Sequence, residues 1–189
     1  MNETHPMSSP PIPHETPTAA SQEADPWSAL GEDGAGLTVD HFLTTVLSQV
    51  VLALRRSITL PYAQEFGLTV PEWRLLSLLA HAKQMPFAEL VVQSTSDKAL
   101  VSRTLRLLEK RGLVELRAEG NTPRKRLTCL ITPAGDDLHE QVIPLARRSQ
   151  AEAIHVMTSE ERFVVFRALK RVQQRAQECT PPGVDEGDS

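Results

Sequence analysis

At Gly112 the apolar period of the chain changes. Before it, Val101, Leu105 and Leu108 recur at helical steps; after it, Val114 and Leu116 alternate, and so do Leu127, Cys129 and Ile131. A helix ended by glycine, followed by two alternating segments around Glu119-Gly120-Asn121-Thr122-Pro123, predicts a helix and then a β-hairpin. Upstream lie a short helical segment from Phe87 to Val92 and a polar turn, Ser94-Thr95-Ser96. Short helix, turn, longer helix and hairpin form the order of a winged helix-turn-helix, whose second helix can enter a DNA major groove.

More helices flank this unit than it can use. Leu43, Val46, Leu47, Val50, Leu54 and Ile58 form a helical stripe that starts after Thr38 and stops before Pro61. Thr69-Val70-Pro71-Glu72 is a capping box that opens a helix bearing Trp73, Leu76, Leu79 and Ala80. After the hairpin, one helix is expected from Pro133 to His155, kinked at Pro144. Another begins at the capping box Thr158-Ser159-Glu160-Glu161 and runs to about Gln177 with Val165, Leu169 and Val172 apolar. These spare stripes need a partner, and a second copy of the chain is the natural one. The expected fold is mainly α with a small β-hairpin wing: a DNA-binding lobe over 63–132 and a helical dimerisation region over 37–62 and 133–177.

Charge is divided along the chain. Residues 1–36 hold six acids, six prolines and no Lys or Arg, and residues 178–189 are again acidic and Pro-rich, so both ends read as disordered tails. The net charge of −4 therefore hides a basic middle, 20 bases against 14 acids over 37–175. Residues 97–126 alone carry nine bases and four acids, the balance of either a surface for a polyanion or a solvated helix face.

Other classes find little support. No apolar run is read as approaching the roughly 18 residues of a membrane span, so no membrane is expected. Met1 is followed by acidic, Pro-rich sequence and not by a basic and then apolar leader. Two cysteines, Cys129 and Cys179, make no disulfide framework and fit a reducing cytoplasm. The histidines have no zinc-ligand spacing, no catalytic motif is present, and neither metal nor cofactor is expected.

Four segments carry a family resemblance: Leu68 to Leu76, Ala88-Glu89-Leu90, Val101-Ser102-Arg103 through Glu109-Lys110-Arg111-Gly112-Leu113-Val114, and Leu130-Ile131-Thr132-Pro133-Ala134-Gly135. Together they resemble the MarR family of bacterial transcriptional regulators, over roughly Thr38 to Gln177. The resemblance implies a homodimer with interlocked terminal helices, two winged lobes on a palindromic operator, and repression relieved by a small phenolic or aromatic ligand. Three departures stand out. Pro123 and Lys125 occupy the hairpin positions where the family usually carries Asp-x-Arg, although Arg124 and Arg126 keep the wing basic. Ser94, Thr95 and Ser96 replace the usual apolar, glycine and apolar residues of the turn, which predicts a standard fold with a locally altered turn. The acidic N-terminal tail is long for the family. Peroxide-sensing members use a cysteine near the start of the first core helix, and residues 37–60 have none.

The resemblance puts Lys98, Ala99, Ser102 and Arg103 on the face that meets base edges, while Arg106 and Lys110 read as touching phosphate or nothing. Arg124, Lys125 and Arg126 would place the wing on the backbone. The competing reading pairs Lys98 or Arg103 with Asp97 or Glu109 on a solvated helix. His41, Arg55, Trp73 and Arg74 are candidates for a site that takes a small aromatic acid, an arginine for the carboxylate and apolar surface for the ring. Equally, Trp73 reads as core, Arg74 as a structural ion-pair former and Arg55-Arg56 as an exposed pair. A non-catalytic helical dimer that binds a small molecule or acts as an adaptor, with a wing that has lost DNA affinity, is the second reading, motivated by the replaced Asp-x-Arg.

Overall fold

A computed structural model describes residues 25–28, 30–119 and 126–179. The chain divides into two units, 1–47 and 48–189. Within the first, the described part of the acidic tail is a series of turns with bonds of its own. The Trp27 indole N–H donates to the His41 carbonyl at 2.8 Å, and the Trp27 backbone N–H to the Asp25 carboxylate at 2.9 Å. A single 3₁₀ turn, Val39–His41, follows.

A helical run then extends to Glu65 in three parts: α1 (Leu43–Leu54), a π-turn (Arg55–Thr59) and α2 (Leu60–Glu65). The stripe was expected to stop before Pro61; it continues instead. The wider turn sends the Leu60 N–H to the Arg55 carbonyl, and Pro61 then falls in the first turn of α2, where its missing N–H is tolerated. By length and composition, with mean hydropathy 1.2, Leu43–Glu65 passes as a membrane span, a match that the reading of apolar runs did not pick out. That is weak support for a membrane, since Arg55 and Arg56 stand at its middle, where each arginine costs about 3 kcal/mol.

The second unit holds the core. α3 (Val70–Ala82) opens with the expected capping box, Thr69 Oγ1 accepting from Glu72 N–H at 3.3 Å and the Thr69 N–H donating to the Glu72 carboxylate at 2.8 Å. β1 (Gln84–Pro86), α4 (Phe87–Ser94), α5 (Lys98–Lys110), β2 (Val114–Glu119) and β3 (Arg126–Ile131) follow. The hairpin forms as predicted, but β1 was not foreseen; it pairs antiparallel with β3, Met85 opposite Cys129, and makes a three-stranded sheet in the order β1-β3-β2. Leu76, Leu79, Leu90, Val101, Leu105, Leu108 and Val114 form the buried centre, closed by Cys129 from the sheet and Val142 from the next helix.

α6 (Pro133–His155) runs unbroken through Pro144. Thr132 caps it, accepting from Gly135 N–H at 3.1 Å. A side chain at Gly135 would collide with the Leu113 carbonyl, which explains a glycine in the first turn of a helix. α7 (Ser159–Cys179) starts at the expected second capping box, with the Thr158 N–H donating to Glu161 at 2.7 Å and the Glu161 N–H to Thr158 Oγ1 at 3.3 Å. None of its residues is buried.

Candidate nucleic-acid interface and ligand groove

The helix-turn-helix is α4, the turn and α5. Ser94 is fully buried and its hydroxyl donates to the Val91 carbonyl at 2.9 Å, so a serine fits where an apolar residue is usual. Thr95 lies in the left-handed region (φ 50°, ψ 41°). β-Branched residues avoid it at a cost of about 1–2 kcal/mol. The turn thus keeps the backbone that glycine would give, and Arg74 Nη2 donates to its hydroxyl at 2.8 Å. Asp97 caps α5, its carboxylate accepting from Leu100 N–H at 2.7 Å.

α5 has two opposite faces. Val101, Thr104, Leu105 and Leu108 are buried. Lys98, Ala99, Ser102, Arg103 and Arg106 fall on the other side, within an arc of about 140° at 100° per residue. Lys98, Ala99, Arg103 and Arg106 are exposed and Ser102 is half-buried. The pairing that would make this face inert does not form: Asp97 is spent on the cap, and Glu109 accepts from the Leu116 N–H at 3.3 Å. Among the described residues the Lys98, Arg103 and Arg106 side chains have no hydrogen-bond or ion-pair partner.

The wing is described as far as Glu119 and from Arg126. Arg124 and Lys125, with the replaced Asp-x-Arg positions, lie outside the described residues, and Arg126 is described only by its backbone, opposite Glu119. On β2, Arg117 and Glu115 form a two-pronged exposed pair at 2.8 and 2.9 Å, which holds the Glu115 carboxyl below its ordinary range.

The ligand candidates are not brought together. Trp73 is 7% exposed, and its indole N–H donates to Tyr62 Oη at 3.0 Å. Its ring meets Tyr62 edge-on at 5.8 Å and stacks on His139 at 5.5 Å. One side of it floors a groove of about 380 Å³ with Tyr62, Ile143, Ala146, Arg147, Gln150, Ala151 and Ile154. Arg74 is engaged at Thr95, through a hydroxyl within the turn, and makes no ion pair among the described residues, unlike the ion pair its structural reading expected. Arg55 is exposed on the π-turn and does not line the groove. His41 belongs to the other unit, where its ring meets Thr38 Oγ1 at 3.0 Å.

Sequence reading missed Arg147, the cation that lines the groove. It sits on α6 at four-residue spacing from Ile143 and Ala151, a signal visible only once α6 is known to cover Trp73. Apart from Gln150 the rest of the lining is apolar, and the Tyr62 hydroxyl, having accepted the indole proton, keeps its own to donate. A mostly apolar trough with one guanidinium, one phenol and one amide suits a planar acid.

A family model described as MarR family matches residues 66–124. A MarR/EmrR family regulator from Acinetobacter sp. ADP1 superposes with TM-score 0.66 at 23% identity, covering 75% of this chain and 99% of that one. NadR in complex with 4-hydroxyphenylacetate gives 0.59 at 23%, covering 72% and 96%. Bordetella bronchiseptica BpsR, whose DNA binding is regulated by 6-hydroxynicotinic acid, gives 0.60 at 18%, covering 73% and 98%. No curated protein matches the chain.

Proposed function

We propose, from the MarR-family membership that the match over residues 66–124 and the shared fold support, that this chain is a DNA-binding transcriptional regulator. It binds a palindromic operator as a homodimer, represses, and is released by a small aromatic acid. The observation that carries the DNA reading is the outward face of α5, where Lys98, Arg103 and Arg106 stand exposed with no acidic partner among the described residues. A polyanion gains most from cations that no carboxylate already neutralises. Arg124, Lys125 and Arg126 add phosphate contacts from the wing.

The effector site in this reading is the Trp73 groove. The ring of the acid lies along Trp73, Ile143 and Ala146, with its carboxylate at Arg147 and Tyr62 donating. The small acids associated with two structural neighbours, 4-hydroxyphenylacetate and 6-hydroxynicotinic acid, have this chemistry and support the class. Arg147 thereby takes the role first given to Arg55 or Arg74.

The test is fluorescence anisotropy on the DNA upstream of its own gene, over a salt series. Arg103→Ala should cost about 1–3 kcal/mol if it reads a base, and Arg124→Ala should weaken all sequences alike and flatten the salt slope. Two variants that bind as the parent does would remove the groove assignment. Calorimetry with a panel of hydroxybenzoates and hydroxyphenylacetates, repeated on Arg147→Met, tests the effector. A panel without a binder, or a binder that leaves the DNA complex intact, sinks that part alone.

A further inference from the structure

Three consecutive residues of α3 reach three separate places. Trp73 floors the groove. Arg74 holds Thr95, in the turn that leads into α5, at 2.8 Å. Glu72, only 5% exposed, holds Arg111, the residue that ends α5, at 3.2 Å, and the same guanidinium nitrogen donates to the Gly67 carbonyl at 3.1 Å. The turn before the helix with the free cations and the residue that ends that helix are thus held by the two neighbours of the groove's indole.

We propose that α3 couples the groove to α5, with Glu72 and Arg74 as positioning residues that carry a displacement at Trp73 to the turn before the DNA-facing helix and to the residue that ends it. The proposal rests on the DNA reading of α5. Its physical basis is that α3 cannot shift along or about its axis while both clamps hold unless α5 follows. A buried carboxylate cannot release its cation without leaving an unpaired charge, and Thr95 loses the Arg74 bond that offsets its strained backbone. Coupling between sites is reciprocal. DNA on α5 must therefore be felt at Trp73, which makes the inference testable with no effector in hand.

The full chain carrying Trp27→Phe leaves Trp73 as the sole tryptophan of the original two. DNA from upstream of its own gene is titrated in; anisotropy of the labelled DNA reports binding, and Trp73 emission with acrylamide quenching reports the groove. The emission should change as the DNA saturates. In the same background, Thr95→Val combined with Arg111→Met should still bind DNA but lose that change, and restoring the hydroxyl with Thr95→Ser should recover part of it. If the double variant melts early, Arg74→Met, at an exposed position, takes its place; it removes one clamp and should diminish the change, and a change of full size in it overturns the proposal. An emission change that survives loss of both clamps overturns the proposal, as does DNA binding to the parent with no change at Trp73. Absence of an anisotropy rise removes the DNA reading, and the coupling with it.

Discussion

Thr95 carries a conformational cost that glycine would not, and recovers part of it through its hydroxyl. Removing only the hydroxyl, in Thr95→Val, keeps the left-handed strain and returns the exposed Arg74 donor to water; it should cost about 1 kcal/mol. Thr95→Gly relieves the strain but loosens the unfolded chain and forfeits the same bond, so it should stay within about 1 kcal/mol of the parent. Urea unfolding of the two variants checks this, and a Thr95→Val chain as stable as the parent would leave the hydroxyl bond without value. The two cysteines make a second pair of opposites. Burial, aided by the nearby Glu109 carboxylate, pushes the Cys129 thiol up to about 11, while Cys179 is exposed. Iodoacetamide at pH 8 should label Cys179 and leave Cys129 untouched until urea unfolds the chain, since only the thiolate reacts. Rapid labelling of both would contradict the burial.

At the scale of elements, α6 meets α3 through the stacked rings of His139 and Trp73. Burial is the main reason that His139 titrates below its ordinary 6.5; Lys83 and Arg147 act in the same direction, and Asp136 and Glu140 oppose them. The folded chain therefore binds that proton more weakly than the unfolded one. Its contribution is intact above about pH 6.5 and is lost as pH falls through the lowered native value. Urea midpoints measured downward from pH 7 should drop, and His139→Phe should flatten the fall above the range where carboxylates protonate. An unchanged slope would exclude His139 as its source. The other contact of α6, Gly135 against the Leu113 carbonyl, leaves no room for a methyl; Gly135→Ala should cost at least about 1–3 kcal/mol in the same assay.

These contacts mark where sequence reading succeeds and fails. The capping boxes at Thr69 and Thr158, the end of α5 and the alternation of the hairpin are local, each set within a few residues, and all were legible. β1 was not, because three residues become a strand only where the free edge of β3 lies beside them. The π-turn has no residue signature, and the Arg74–Thr95 bond spans 21 positions. The basic face of α5 followed from periodicity, whereas the groove needed the packing of α6 on Trp73, which put Arg147 in the lining and left Arg55 out of it.

For the molecule as a whole, α7 is the element that a single copy does not satisfy. Phe163, Val164, Val165, Phe166, Leu169 and Val172 are all 40–65% exposed along its 21 residues. A concavity of about 500 Å³ runs along this one helix, lined by Ala168, Arg171, Val172, Arg175, Ala176 and Cys179, and no second element among the described residues lines it. Such a helix is marginal alone in water, since most helical stability in proteins comes from a packed apolar face. Covering six large side chains that are half-exposed returns about 1 kcal/mol each, or roughly 6 kcal/mol per copy, and two copies contribute together. That sum exceeds the middle of the range of about 4–15 kcal/mol that association costs. With α1 also free of buried residues, a homodimer through α1, α6 and α7 is the expected state. Light scattering at micromolar concentration should give twice the chain mass. Leu169→Glu with Val172→Glu should give a monomer that loses helical ellipticity in proportion to α7 and binds a two-half-site DNA far more weakly, because the second lobe no longer arrives with the first. A parent chain that is monomeric at that concentration would refute the dimer, and a monomeric double variant with full DNA affinity would show that one lobe suffices.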